Sequence, residues 1–369
     1  MASRSYAASA AHRLREKTRR LTHYFQRRYA VTAFRRFVFV RNSATSSGTT
    51  RIGTYDMTVK LSAVSRTQGN NQALKDGSVQ LKGYELAFTE VDPLIAAFRR
   101  MVRGLEFDVC EMAITTYICA KAHGKKMTAI PVFIVRAFHH GAILVNAKAG
   151  IRTPKDLEGK RVGVNRGYTV TTGVWARGVL QEEHGVDLSK ITWALSGDEH
   201  VAEYVPPANV VPIEKGKKMD EMLLSGELAA AIGVEIEHPD IKPLIADPLE
   251  AGLAALKSRG HYPINHTVVV KDELLEKHPD LAAELFRGFA ESKRLYLEKL
   301  KGGKIEKLTA VDKVHQRVMD IAGDPLPYGI ESNRKTLETL IGHAFTQKII
   351  QKPVTVEELF AKGTLGLSG

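Results

Sequence analysis

The sequence predicts an α/β protein of two lobes, each a mostly parallel sheet flanked by helices. From Met57 onward, short apolar or β-branched runs alternate with runs of helical spacing, the pattern of parallel strands joined by helical crossovers. The C-terminal third is rich in helix and has few strands left to pair, so the chain builds one lobe, crosses to a second and returns to finish the first. The 369 residues, 44% hydrophobic and 25% charged, are enough for two or three ordinary globular domains without metal or disulfide staples.

The elements follow in order. Residues 58–64 and 84–88 read as strands, and 93–103 as a helix with Leu94, Ala97, Phe98, Met101 and Val102 on one face. Residues 107–112 read as a short buried strand, 115–123 as a helix, 129–135 and 140–146 as strands. Thr153 caps a one-turn helix that starts with Pro154 and ends at Gly159. Strands at 161–165, 191–195, 229–234 and 267–271 are interleaved with helices at 172–184 and 219–224. A long helix over 279–300 faces inward with Leu281, Leu285, Phe289, Tyr296 and Leu300. Another over 332–348 does so with Leu337, Leu340, Ile341, Ala344 and Phe345. Thr355 and Glu358 form a capping box onto a last short helix.

The net charge of +12 is concentrated at one end. Residues 1–51 hold twelve Lys/Arg and one acid, Glu16, which leaves the body nearly neutral and argues against nucleic-acid binding. The segment 1–56 lacks the uninterrupted apolar stretch of an export signal, so a cytoplasmic protein is expected. The basic extension 1–56 reads as disordered and has two readings, an organelle-targeting segment or a native start at Met57, and the strand pattern beginning at Thr58 favours the second. No apolar run approaches the ~18 residues of a membrane span. Cys110 and Cys119 match neither a zinc pattern nor a redox pair and read as buried reduced thiols.

Several stretches resemble the 4,5-dihydroxyphthalate decarboxylase family, whose fold is like that of type II periplasmic substrate-binding proteins. They are EFDVCEM (106–112), IPVF and RAFHHGAILVN (within 130–146), GIRTPKDLEGKRVGVN (150–165), VWARGVLQEEHGV (174–186), YPINHTVVVKDELLEKHP (262–279) and PYGIESNRKTLE (327–338). The loop SRTQGNNQALKDG (65–77) departs from the family's segment at that place. The resemblance implies one lobe from 57–145 and 267–369, a second from 146–266, and a ligand held between them. It also implies a decarboxylase that needs no cofactor and acts on 4,5-dihydroxyphthalate or a related aromatic di-acid. The alternative is a non-catalytic solute-binding protein of an ABC transporter for a small organic anion. A third reading, an enzyme resembling thiamine-pyrimidine synthases, has weaker motif support. The oligomeric state is left open.

Within that frame, loops at strand ends and helix starts are the expected ligand contacts, because helix N-termini offer free N–H groups to anions. Glu111 and Thr115 lie on one such loop; Thr169, Thr171 and Thr172 lie on another, with Arg177 one turn further along. Arg136 is expected to clasp a carboxylate, and His139 or His140 to move a proton, because this pentapeptide leads into the crossing between lobes. Glu111 and Glu235 each suit a phenolic hydroxyl or a structural cap. His261 and His266 flank YPIN before the returning strand; they read as ligand contacts, since their spacing carries no metal signature. A chain starting at Met57 should unfold at the same temperature as the full chain and bind ligand equally well; a large drop in melting temperature would show that 1–56 packs on the body.

Overall fold

The structure is a computed structural model and describes residues 58–369. The extension 1–56, with its targeting and start-site readings, lies outside the described residues, as does Met57. One sheet contains β1 (Val59–Val64), β2 (Tyr84–Phe88), β3 (Val109–Ala113), β4 (Met127–Arg136) and, from much later in the chain, β11 (Ile264–Lys271), in the order β2-β1-β3-β11-β4. The other contains β5 (Ile143–Asn146), β6 (Arg161–Val164), β7 (Thr192–Leu195), β8 (Val210–Pro212), β9 (Ala230–Ile232) and β10 (Ile241–Pro243), in the order β10-β5-β9-β6-β7-β8. Helices α1 (Gln72–Lys75), α2 (Ile95–Gly104) and α3 (Ile114–Ala122) follow β1, β2 and β3. Helix α4 (Thr171–His184) follows β6, and α5 (Met219–Ser225) and α6 (Pro248–Arg259) flank the last strands of the second sheet. Helices α7 (Asp272–Lys277), α8 (Leu281–Lys301), α9 (Ala310–Ala322) and α10 (Arg334–Thr346) close the chain.

Both sheets are mixed, and each is parallel apart from one reversed strand. In the first, β1 runs parallel to β2 and β3, while β11 is antiparallel to β3 and β4. In the second, β6 is parallel to β7 and β9, and β5 is antiparallel to β9 and β10. The reversed strand is in each case the first one laid down after a crossing. Its neighbours end where the chain leaves for the other lobe, so a strand that starts there must run the opposite way.

The crossings run through 137–142 and 260–263. β5 pairs wholly in the second sheet and β11, from Ile264, in the first, so each crossing falls a few residues before the boundaries expected at 145/146 and 266/267. Residues 140–146 are a helical turn (His140–Ala142) followed by β5, not one strand. Hydrophobic pattern marks these residues as buried but does not tell which sheet they join.

Helix α8 buries Leu281, Leu285, Phe289, Tyr296 and Leu300, the face its spacing predicts. On α10 the inward set holds except for Phe345, which is 37% exposed with Lys348 Nζ 5.5 Å from its ring centre. Helices α6 and α9 carry start signals in the sequence that the pattern reading passed over: Pro248 after Asp247, and a Thr309–Asp312 capping box. Both cysteines are free and buried, and burial pushes the Cys119 thiol up to about 12.

Burial pushes His139, His200, His315 and His343 each down to about 4, so they are neutral in the folded protein at pH 7. In the unfolded chain they take a proton near pH 6.5. The folded-state values lie below the unfolded one, so the stability they confer is complete above about pH 6.5 and is lost as pH falls from there towards 4, by about 1.4 kcal/mol per pH unit for each histidine. Urea unfolding should therefore show a clearly lower midpoint at pH 5 than at pH 7.5. Equal midpoints would mean these rings are accessible to protons in the folded state.

Candidate active site

Strand register brings a carboxylate and an imidazole together at the mouth of the first sheet. Glu111 on β3 pairs with Val268 on β11, and His266 stands two residues before Val268. Two residues along a strand is the same face, so the two side chains are diagonal neighbours. His266 Nδ1 lies 2.6 Å from Glu111 Oε1. The carboxylate must accept there, so Nδ1 carries the hydrogen and Nε2 is left for proton exchange.

Glu111 is fully buried, and its second oxygen accepts from Ser65 Oγ (2.7 Å) and Arg66 N (2.9 Å). Ser65 and Arg66 follow directly after β1, whose register against β3 carries them to Glu111. Asn71 braces the loop by donating to Ser65 Oγ (2.8 Å) and to the Arg66 carbonyl (2.9 Å), and Lys75 donates to the Ser65 carbonyl (2.7 Å). The SRTQGNN loop, where the chain departs from the resemblance, is thus the support of the Glu111–His266 pair.

His266 lines a cavity of about 440 Å³ with Phe98, Arg66 and, from the second lobe, Arg166. The Phe98 ring meets the imidazole edge-on, with centres 5.1 Å apart at 86°. Arg166 sits two residues past β6 in the left-handed region (φ 70°), with its N–H bound to Ser196 Oγ at 2.8 Å. Partial burial, reinforced by nearby Arg99, lowers its guanidinium below the usual arginine value. Among the described residues, neither Arg66 nor Arg166 has an ion-pair partner. Two guanidiniums and an oriented histidine thus line one cavity, together with the carboxylates of Glu90 and Asp92, a set that can take an anion beside a proton-transfer group. Larger grooves run along α8 and α9, where several charges are paired: Lys293 with Asp324, Arg294 with Glu291 and Glu298, and Arg317 with Glu250.

The threonine loop at the start of α4 does not present its N–H groups to the cavity. Tyr168 N and Thr169 N (3.2 Å) donate to the Glu199 carboxylate, as does Thr169 Oγ1 at 2.6 Å. A carboxylate does bind there, and it is the protein's own. Thr171 is 2.8 Å from Thr115 Oγ1, and Thr115 also donates to the Thr169 carbonyl at 2.6 Å, so these hydroxyls join the two lobes. Thr172 is half-buried, with its methyl beside Gly233. Next to this contact Asp198 pairs with Arg99 (2.8 Å) and Arg103 (2.9 Å), and His200 Nδ1 lies 3.1 Å from Thr116 Oγ1.

The remaining expected contacts lie elsewhere. The buried Arg136 donates to the carbonyls of Tyr262 (2.7 Å) and Pro327 (3.2 Å) and to the Asn333 amide oxygen, and burial lowers it to about 10. It fastens one crossing to the other instead of facing the Glu111–His266 cavity. His139 is buried against Asn265 Oδ1 (3.0 Å), and His140 Nε2 lies 3.1 Å from both Glu183 oxygens, with Arg259 on the same carboxylate. Arg177 is fully buried, stacked 3.8 Å over Tyr168 and bonded to Gln347 Oε1 (2.8 Å) and the Tyr168 carbonyl (2.6 Å). Among the described residues His261 reaches only Thr339, at 3.4 Å, and Glu235 is exposed in a loop. No group of three metal-ligating side chains occurs among the described residues. Sequence reasoning missed Arg66, Arg166 and Glu199. The first two had a usable signal, a cation in the first residues after a parallel strand, where α/β proteins bind ligands.

The fold and this cavity define a two-lobed α/β protein with two arginines and a carboxylate-oriented histidine on one cavity. Residues 106–205 match the family described as NMT1/THI5 like. A 4,5-dihydroxyphthalate decarboxylase of Comamonas testosteroni is 31% identical over 309 residues, which span 79% of this chain and 93% of that protein. One of Pseudomonas putida is 36% identical over 190 residues, 47% of this chain and 72% of that protein. Among solved structures, the alkanesulfonate-binding protein SsuA from Xanthomonas axonopodis pv. citri bound to MOPS matches with a TM-score of 0.46 and 14% identity, over 82% of this chain and 97% of that one. The chain belongs to the 4,5-dihydroxyphthalate decarboxylase family.

The two kinds of arginine should separate by calorimetry and melting. Arg66→Met and Arg166→Met should each weaken phthalate binding about 10-fold or more, the scale of one lost charge-assisted contact, with little change in melting temperature. Arg136→Lys should lower the melting temperature and leave phthalate affinity near that of the unmodified protein. The reverse pattern would return the carboxylate clamp to Arg136.

Proposed function

We propose that the protein is a carboxy-lyase that removes one carboxylate of 4,5-dihydroxyphthalate as carbon dioxide and leaves a dihydroxybenzoate. The observation that carries this reading is the Glu111–His266 pair opening on a cavity with two unpaired guanidiniums. Family membership supplies the substrate class. Arg66 and Arg166 suit the two carboxylates of a phthalate, and the Phe98 ring gives the aromatic body an apolar neighbour.

Direct loss of carbon dioxide would leave an aryl carbanion. Each carboxylate of this substrate is para to a hydroxyl, which offers a lower path. As the hydroxyl gives up its proton to water, electron density builds on the ring carbon that bears the carboxylate. Protonated His266 delivers the Nε2 hydrogen to that carbon, and Glu111 keeps the ring aimed and balances its charge. The carbon–carboxylate bond then breaks, its electron pair restores the aromatic ring, and carbon dioxide leaves. The phenolate recovers a proton and His266 is reprotonated from water, so the net change is one proton in for one carbon dioxide out.

Incubating the protein with 4,5-dihydroxyphthalate should release carbon dioxide. His266→Gln should retain binding while turnover falls ~10²-fold or more, the usual worth of a proton-transfer group. Glu111→Gln should also lower turnover more than affinity, because the imidazole loses its orienting acceptor. Tight binding without any release of carbon dioxide by the unmodified protein would overturn the enzymatic reading.

A further inference from the structure

An anion site gains nothing from carboxylates of its own, yet this cavity has two. Glu90 and Asp92 line it together with Arg66, Arg166 and His266. Both belong to the connection between β2 and α2, which carries neither arginine. Glu90 is held by Lys75, whose ammonium also donates to the Ser65 carbonyl, so this acid is tethered to the loop behind Glu111. Asp92 is exposed and, among the described residues, makes no ion pair. Towards an unsubstituted phthalate, both carboxylates offer only like-charge repulsion, which Lys75 offsets at Glu90 but not at Asp92. Towards a di-acid that also bears ring hydroxyls, the same carboxylates become strong acceptors.

We propose that Asp92, with Glu90 beside it, accepts hydrogen bonds from the ring hydroxyls of the substrate and thereby makes the site select a hydroxylated aromatic di-acid over phthalate. The inference rests on the decarboxylase reading and deepens it. The two arginines recognise the carboxylate pair, which phthalate shares, and so do not discriminate. Discrimination falls to the acids, by attraction towards the hydroxylated ligand and repulsion towards the bare one. A site built to hydrogen-bond a hydroxyl rejects the analogue that lacks it far better than an apolar pocket does. Hydrogen-bonding a hydroxyl in this way also draws on the proton whose departure activates the para carboxylate.

The test is the ratio of two dissociation constants, for phthalate and for 4,5-dihydroxyphthalate, measured by calorimetry on the full chain. The unmodified protein should bind the dihydroxy compound more tightly. Asp92→Ala should cost the dihydroxy compound about 10-fold or more, the scale of a hydrogen bond to a charged group, and should leave phthalate binding equal or tighter because a repulsive charge is gone. Glu90→Gln should shift the ratio in the same direction by less, since Lys75 already offsets that charge. A structural lesion would weaken both ligands together and leave the ratio unchanged; that result for Asp92→Ala overturns the inference. An unmodified protein that releases carbon dioxide from the dihydroxy compound but binds both ligands equally overturns this inference alone. One that binds neither ligand overturns the decarboxylase reading as well.

Discussion

A carboxylate taken wholly out of water has to be met by donors around both oxygens. Glu111 meets this condition with three groups from two separate parts of the chain: Ser65 Oγ and Arg66 N after the first strand, and His266 Nδ1 on the eleventh. The arrangement exists only because the returning strand inserts antiparallel between β3 and β4. A slip of one residue in that strand would turn His266 to the opposite face and leave a buried charge one donor short. The topology of the first sheet and the chemistry of the cavity are therefore the same constraint. The chain must travel through the whole second lobe before it can supply the imidazole.

The second lobe contributes Arg166 and the contacts that hold the lobes together. The starts of α3 and α4 face each other across the junction, where two helix N-termini would repel if left bare. Thr115 and Thr171 share hydroxyl bonds there, and Glu199 brings a negative charge to the α4 end. The ion pairs from Asp198 to Arg99 and Arg103 are exposed, and each such pair contributes little alone, in the range of about 0–1 kcal/mol. The buried threonine and glutamate bonds are better placed to fix the junction, and the surface pairs add register.

The arginines divide by what surrounds them. Arg136 and Arg177 are buried and held by neutral oxygens, the carbonyls of Tyr262, Pro327 and Tyr168 and the side-chain amides of Asn333 and Gln347, while Arg136 Nε and Arg177 Nη1 find no partner among the described residues. Their planar forks serve as struts that join distant segments. Arg66 and Arg166 line the cavity and, among the described residues, make no ion pair. The histidines divide in the same way. His139 and His140 are enclosed by Asn265 and Glu183, whereas only part of His266 is engaged. Burial thus turns residues with catalytic chemistry into structural members, and partial exposure leaves the same chemistry available.

By itself the sequence determined the alternation of strands and helices, the inward faces of α8 and most of α10, the capped turn at Thr153 and the departure to a second lobe and back. These follow from local periodicity and from capping residues, which act within a few positions. It also contained Glu111 and His266 as separate candidates. Only the tertiary structure decided that they form one pair, because their contact spans 155 positions and depends on strand register. The same holds for the crossings, which fall a few residues before the boundaries that the resemblance implies, and for the division between strut and clamp among the arginines. Residue type states what a guanidinium or an imidazole can do. Which oxygens enclose it is set by segments more than a hundred residues away, as Asn333 does for Arg136 and Gln347 for Arg177.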